Sequence, residues 1–252
     1  MTLHSQQHNG SAETDLPRGR DGHPLCVEQA RERLAGLDPA AKLRWASETF
    51  QGHFAAITSF GIQSAVMLEL LQQVAPGTPV IWVDTGYLPA ETYRYAEILQ
   101  DKLRIDLHVA QASMTPARME ALHGRLWESG NPEDLDRYHQ IRKVEPLEAS
   151  LSSLNVHCWA SGVRGAQTTH RQTMGCLDVI RQRWSLRPLL DWTSRDVYSF
   201  MEAHQLPQHP LFEQGYSTVG DWHSSAPDGA EQRGRGTRFS GFRQECGIHL
   251  PV

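Results

Sequence analysis

No apolar run in this chain approaches the ~18 residues that a bilayer-spanning helix requires. The opening segment, MTLHSQQHNGSAETDLPRGRDGHP, also lacks the apolar core of a secretory signal peptide. A membrane protein and an exported protein are therefore both disfavoured, and a cytoplasmic one is expected. Acidic Glu13, Asp15 and Asp21 in the same segment argue against a mitochondrial presequence, a class poor in acids. Positive charge is short as well: 24 Lys and Arg against 29 Asp and Glu leave a net charge of −5. Without a basic field to release counterions from a duplex, no nucleic-acid partner is expected. Cysteine is scarce, at positions 26, 158, 176 and 246. None of these forms a C-x-x-C, which removes the usual spacing of a zinc knuckle or an iron–sulfur cluster. A disulfide framework would be foreign to a non-exported chain of this length. The 13 histidines suggest no metal site by their spacing.

What is present is a chain of 252 residues, 39% hydrophobic, enough for one or two globular domains. Residues 1–24 hold almost nothing to bury and are expected to be disordered. From Glu28 to Phe50, apolar residues at helical intervals, interrupted near Pro39, predict two short helices. His53–Ser59 is then an apolar strand, Gly61 a tight turn, and Ile62, Ala65, Val66, Leu68 and Leu71 a helix stopped by Pro76 and Gly77. TPVIWVDTG repeats the unit, with a strand to Asp84, a helix from Pro89 through Leu103, and a strand over Ile105–Ala110. Two successive βα units imply parallel strands joined by crossovers, hence an α/β fold with a mostly parallel sheet and helices on both faces. Further on, the pattern predicts helix from Thr115 to Leu154, strand over Val156–Gly162, and a segment Val179–Leu190 whose Pro188 suits a sheet edge or a strand end. Thr193 and Asp196 then form a capping box for a helix through His204. Residues 25–225 are read as a nucleotide-binding domain and 226–252, rich in Gly and Arg at first, as a flexible C-terminal tail.

In an open parallel sheet, ligands lie at the carboxyl ends of the strands. At the first such turn, TSFGIQSA, Ser59, Gly61 and Ser64 surround a helix N-terminus whose free N–H groups favour a phosphate or sulfate; the alternative is an ordinary serine cap. At the second, Asp84 could accept from a ribose hydroxyl or an adenine amine, while Thr85 and Gly86 allow close backbone approach. The third, SGVRGAQTTHR, brings Arg164, Gln167, His170 and Arg171 to the same edge, where guanidinium groups grip phosphate bidentately or simply lie in solvent. IRKVEPL adds Arg142 and Lys143, either substrate ligands or a salt-bridged turn. In TRFSGFRQECGIH, Cys246 lies among Arg238, Arg243 and His249, with Glu245 the only nearby acid. Cationic neighbours stabilise thiolate, the nucleophilic form, although a lone cysteine near a C-terminus is more often inert.

TSFGIQSAV, VDTGYLPAETYR, IRKVEPL, GYSTVGDWHSS and TRFSGFRQECGIHL, in this order, resemble the thioredoxin-dependent 3′-phosphoadenylyl sulfate (PAPS) reductases of assimilatory sulfate reduction, over roughly residues 30–250. The resemblance implies a Rossmann-like adenine-nucleotide hydrolase-like fold with a mobile catalytic tail. It implies that Cys246 attacks the sulfuryl sulfur, expels adenosine 3′,5′-bisphosphate and holds a thiosulfonate that thioredoxin, or glutaredoxin, releases as sulfite. His249 is implied beside it, and Ser59, Phe60, Gly61, Ser64, Asp84, Thr85, Gly86, Lys143, Gly162, Arg164, Gln167, Arg171, Arg238 and Arg243 as substrate-binding. A homodimer without a bound cofactor is also implied. A sister branch reduces adenylyl sulfate (APS) and carries a four-iron cluster; the corresponding positions here are Tyr138, His139, Asp221 and Ser224. The chain departs from the family pattern at Gly165, where an arginine is usual, and at Thr168, where a serine is usual. Rival readings are APS reduction, an ATP-cleaving enzyme of the same fold, disfavoured because Phe60 and Gln63 stand where a glycine and an aspartate are usual, and a non-catalytic nucleotide-binding redox sensor.

Overall fold

The computed structural model describes residues 25–230, 233–241, 245 and 247–249. The expectations for residues 1–24, Arg243 and Cys246 lie outside these residues. Six strands, β1 (Phe54–Thr58), β2 (Val80–Asp84), β3 (Leu107–Gln111), β4 (Cys158–Ser161), β5 (Leu177–Ile180) and β6 (Arg183–Leu186), form one sheet in the order β3-β2-β1-β4-β6-β5. Every neighbouring pair is parallel except β5 with β6.

Strand periodicity divides the core in two. Phe54 and Ala56, Val80 and Trp82, and Cys158 and Ala160 point to one face. There they meet Leu34 of α1 (Val27–Leu34), Leu43 of α2 (Pro39–Thr49), Leu68 of α3 (Ser64–Val74), Leu99 of α4 (Ala90–Leu103) and Val197 of the later helix Ser194–Ala203. Their alternating neighbours Ala55, Ile57, Ile81, Val83 and Trp159 point to the other face, against Leu147 and Leu151 of the helix Glu145–Ser153. Helices thus cover both faces, as the paired βα units predict. Cys158 is a fully buried core residue whose thiol is pushed well above its ordinary value by burial.

Four stretches differ from expectation. The predicted helix over 115–154 is broken into α5 (Pro116–His123), α6 (Pro132–His139), a π-helical turn Gln140–Val144 and α7 (Glu145–Ser153). Gly124 and Gly130, both at φ above +70°, end and separate the pieces. The region 179–190 is not one edge strand. It contains most of a hairpin in which β6 lies inside the sheet, and Pro188 takes the strand-end alternative, just beyond Leu186. The turn residues Arg181 and Gln182 both have positive φ (47° and 62°), and Arg181 is held there by Glu148 at 2.6 Å. The third strand begins at Leu107 rather than Ile105, whose side chain is buried in the core. After α8 (Thr169–Gln172) and α9 (Ser194–Ala203), the latter opened by the predicted Thr193–Asp196 capping box, the chain winds back over the sheet edge. Residues 234–241, expected to be a loose Gly/Arg tail, form a 3-10 helix with Thr237 and Arg238 buried.

Candidate active site

Strand order reverses between β1 and β4, and crevices outside the carboxyl ends of strands open at such a switch point. A cavity of about 210 Å³ lies there, lined by the ends of β1 and β4 and by the C-terminal segments folded over them. Ser59, Gly61 and Ser64 line it from the first turn, and Ser64 Oγ donates to Gly61 O at 2.8 Å. Phe60 does not line the cavity. Its backbone adopts φ +45°, its N–H donates to Thr58 Oγ1 at 3.1 Å, and its ring is buried edge-on against Trp82 at 5.0 Å. The turn is therefore shaped by a core aromatic where an ATP-cleaving loop would carry glycine.

At the second turn, Asp84 is turned inward. It accepts from Gly86 N at 2.8 Å, Tyr93 Oη at 2.7 Å and Gln111 Nε2 at 2.8 Å, so its oxygens serve the scaffold instead of facing the cavity. Gly86 (φ +74°) is packed where a Cβ would come 2.7 Å from Pro116 Cγ and 3.1 Å from Arg142 Nη2. Arg142 donates to the carbonyls of Thr85 and Met114 and is structural. Thr85 does line the cavity, donating from Oγ1 to Asp221 Oδ1 at 2.5 Å.

Lys143, presented by the π-helical turn, lies 2.6 Å from Asp221 Oδ2, and both side chains are almost fully buried. Burial alone would raise the Asp221 carboxyl, but Lys143 and Arg238 outweigh it and hold the group well below the usual carboxylate range. The Arg238 guanidinium lies across Gly220, where a Cβ would sit 1.7 Å from Nη1. It is buried, and its Nε finds no acceptor among the described residues. A buried, under-partnered guanidinium lining a cavity is a strong anion ligand.

From β4, Gly162, Arg164, Gln167 and Arg171 reach the cavity. Arg164 donates to Ser194 Oγ at 3.3 Å and to Gln63 Oε1. Arg171 is already engaged: Nε and Nη2 grip the Glu245 carboxylate at 3.0 and 2.9 Å, and Nη1 donates to Gln167 Oε1. Gly165 donates its N–H to Leu190 O at 2.7 Å, and a Cβ there would meet that oxygen at 3.2 Å. Arg235 also lines the cavity, 3.7 Å from Glu245. His249 lines it too, 5.4 Å from the Trp159 ring. Burial, reinforced by Arg171 and Arg187, pushes the His249 imidazole well below its ordinary value. That shift favours the neutral ring, so the cationic surroundings of the tail come from its arginines.

Eleven of the sixteen predicted site residues are thus brought to one cavity. Phe60, Asp84 and Gly86 belong to its frame, and Cys246 and Arg243 fall outside the described residues. Sequence reasoning missed Asp221, Arg235 and Glu245 as members of the site. GDW in GYSTVGDWHSS was the available signal for Asp221, since an acid in a Gly-rich loop between two cationic segments has charge to balance.

The chain is an α/β protein of the adenine nucleotide alpha hydrolase-like fold class, with a cation-lined cavity at its switch point. FMN adenylyltransferase from Candida glabrata, solved with FMN and an ATP analogue, shares that fold at TM-score 0.54 and 14% identity, covering 82% of this chain and 71% of its own. Residues 53–227 match the phosphoadenosine phosphosulfate reductase domain, and the chain belongs to that family. It is 56% identical to phosphoadenosine 5′-phosphosulfate reductase of a Synechococcus strain over 89% of this chain and 97% of the relative. It is 43% identical to the reductase of Xylella fastidiosa over 88% and 94%. The crystal structure of phosphoadenylyl-sulfate reductase from Candida auris, a phosphate complex, superposes at TM-score 0.69 with 26% identity, covering 79% of this chain and 96% of that one.

Proposed function

We propose that this chain reduces PAPS to sulfite and adenosine 3′,5′-bisphosphate in sulfate assimilation, with Cys246 as nucleophile and thioredoxin as reductant. Membership of the reductase family supports the activity. The observation that carries the site is the convergence of Lys143, Arg164, Arg235 and Arg238 on one cavity at the β1/β4 switch point, beside Ile248 and His249 of the C-terminal segment. A substrate bearing a 3′-phosphate and a phosphosulfate needs such cations at both ends.

In the proposed reaction the Cys246 thiolate attacks the sulfuryl sulfur, a sulfur–sulfur bond forms, and the bond to the bridging oxygen breaks, releasing adenosine 3′,5′-bisphosphate. One thiolate of the reductant then attacks Cys246 Sγ and expels sulfite. Its second thiol resolves the mixed disulfide, so the dithiol is oxidised by two electrons as sulfur(VI) becomes sulfur(IV). Buried Arg238 is suited to the leaving group's developing charge, and Lys143, oriented by Asp221, to the transferred sulfonate. For the second step the tail must swing out to meet a protein reductant. The chemistry needs no cluster. Of the four positions used by the cluster-bearing branch, Tyr138 hydrogen-bonds His223 at 3.0 Å, Asp221 is paired with Lys143, and Ser224 donates to Asp221 O at 3.1 Å. Cytoplasmic placement and a homodimer are carried over from sequence, and light scattering checks the second; no described helix is long and apolar enough to cross a membrane.

Sulfite release from PAPS and from APS with reduced thioredoxin, in parallel with ATP and magnesium, tests the assignment. PAPS-dependent sulfite without ATP consumption is expected. Sulfite from APS alone would move the assignment to the sister activity, and ATP cleavage would move it to the hydrolase-like enzymes.

A further inference from the structure

Both residues adjoining position 246 are docked on the domain. Glu245 is nearly buried, with 11% of its side chain exposed, and is held from three directions. Arg171 grips both carboxylate oxygens, Thr168 Oγ1 donates at 2.8 Å, and Arg235 lies 3.7 Å away. Burial would raise its carboxyl, but these partners hold it below the ordinary value, so the clamp is charged at neutral pH. Gly247, at φ +80°, sits where a Cβ would lie 3.7 Å from Val144 and 3.8 Å from His139, and Ile248 O accepts from Arg181 at 3.0 Å. The contacts at Gly247 and Ile248 are apolar or involve backbone, and only Glu245 contributes a side-chain charge.

We infer that Glu245 is a positioning residue: its clamp by Arg171 and Thr168 seats Cys246 for attack, and Arg171 serves this docking in place of gripping substrate. Glu245 immediately precedes Cys246 in the sequence, so its clamp acts one peptide bond from the proposed nucleophile. Arg171 is suited to this role because each of its three nitrogens already donates to Glu245 or Gln167, and the paired Nε and Nη2 are both spent on the Glu245 carboxylate. The inference rests on Cys246 being the nucleophile, and the test separates the two.

Two quantities are measured for wild type, Glu245→Gln, Thr168→Val and the Arg171→Met/Glu245→Gln double variant. One is the alkylation rate of Cys246 by iodoacetamide, followed at the peptide level. The other is the single-turnover rate of thiosulfonate formation from PAPS. A lost charge-assisted contact corresponds to about 10- to 100-fold. Glu245→Gln should raise alkylation and slow adduct formation by that order, with adenosine 3′,5′-bisphosphate affinity changed less than about twofold, since the nucleotide is not held by Glu245. Thr168→Val should act in the same direction more weakly, which keeps the test available if Glu245→Gln folds poorly. The double variant should be no worse than Glu245→Gln, because both changes break one clamp. Unchanged alkylation and adduct rates in Glu245→Gln and Thr168→Val, or a double variant whose defects multiply, would overturn the inference. Absence of any adduct on wild type would instead overturn Cys246 as nucleophile, while the alkylation rates would still report the clamp.

Discussion

Asp221→Asn removes one charge from the most buried ion pair lining the cavity and leaves the shape unchanged. Asparagine keeps an oxygen to accept from Thr85 Oγ1 but leaves the Lys143 ammonium, 8% exposed, with no anion at 2.6 Å. Removing one partner of a buried pair costs about 3–5 kcal/mol, because the other charge stays desolvated and uncompensated. For a domain of this size that corresponds to a Tm lower by roughly 6–20 °C. The pH dependence fixes the sign. The folded-state carboxyl lies below its unfolded value, so its stabilisation is complete above the ordinary carboxylate pKa of about 4 and is lost as pH falls below it. Urea unfolding of wild type, Asp221→Asn, Lys143→Met and the double variant between pH 3 and 8 measures this. The double variant should recover much of the loss, and Asp221→Asn should flatten the acid limb. A loss below about 1 kcal/mol in Asp221→Asn, or strict additivity in the double variant, would refute the reasoning.

Gly220→Ala would place a methyl group where the Arg238 guanidinium lies, and the flexible arginine should yield before the backbone does. Affinity for adenosine 3′,5′-bisphosphate should fall about 10- to 100-fold by calorimetry with a near-normal Tm; unchanged affinity would remove Arg238 from the nucleotide site. His209 is fully buried, its Nδ1 accepts from Leu211 N at 3.1 Å, and burial pushes its pKa down to about 4. It resists protonation in the fold, so it should withdraw up to ~3 kcal/mol of stability as pH falls from 6.5 to about 4. In His209→Gln, that part of the pH dependence should vanish from the unfolding curves. Because burial and the neighbouring arginines push the His249 imidazole down and favour its neutral form, His249→Ala should slow turnover without removing an acid limb near pH 6.5 from the pH–rate profile. Loss of such a limb would contradict the neutral assignment.

The βα units, the Thr193 capping box and the strand-end turns that line the cavity were legible because they depend on local periodicity and on the rule that ligands sit at strand ends. The β5–β6 hairpin was not. Its two turn residues adopt positive φ without the Asn or Gly that normally announces such a turn, held by contacts to Glu148 and Ile248 that sequence does not reveal. Asp84 was legible as a strand-end acid but not in its role, because its partners Tyr93 and Gln111 come from later elements. Arg171 was legible as a cavity residue, but its pairing was not, for the same reason. Its partner Glu245 is 74 residues away in sequence, and no motif spacing predicts that pairing. Phe60 shows the limit of transferring a loop by resemblance, since position in the motif does not say which way a ring points.

The most direct test is the intact mass of fully reduced protein after incubation with PAPS, and separately with APS, in the absence of any thiol. A gain of one SO₃ unit from PAPS, absent in Cys246→Ser, is the predicted result, and that variant should still bind nucleotide. An adduct that survives in Cys246→Ser, or no adduct with either nucleotide, would contradict thiosulfonate chemistry at Cys246.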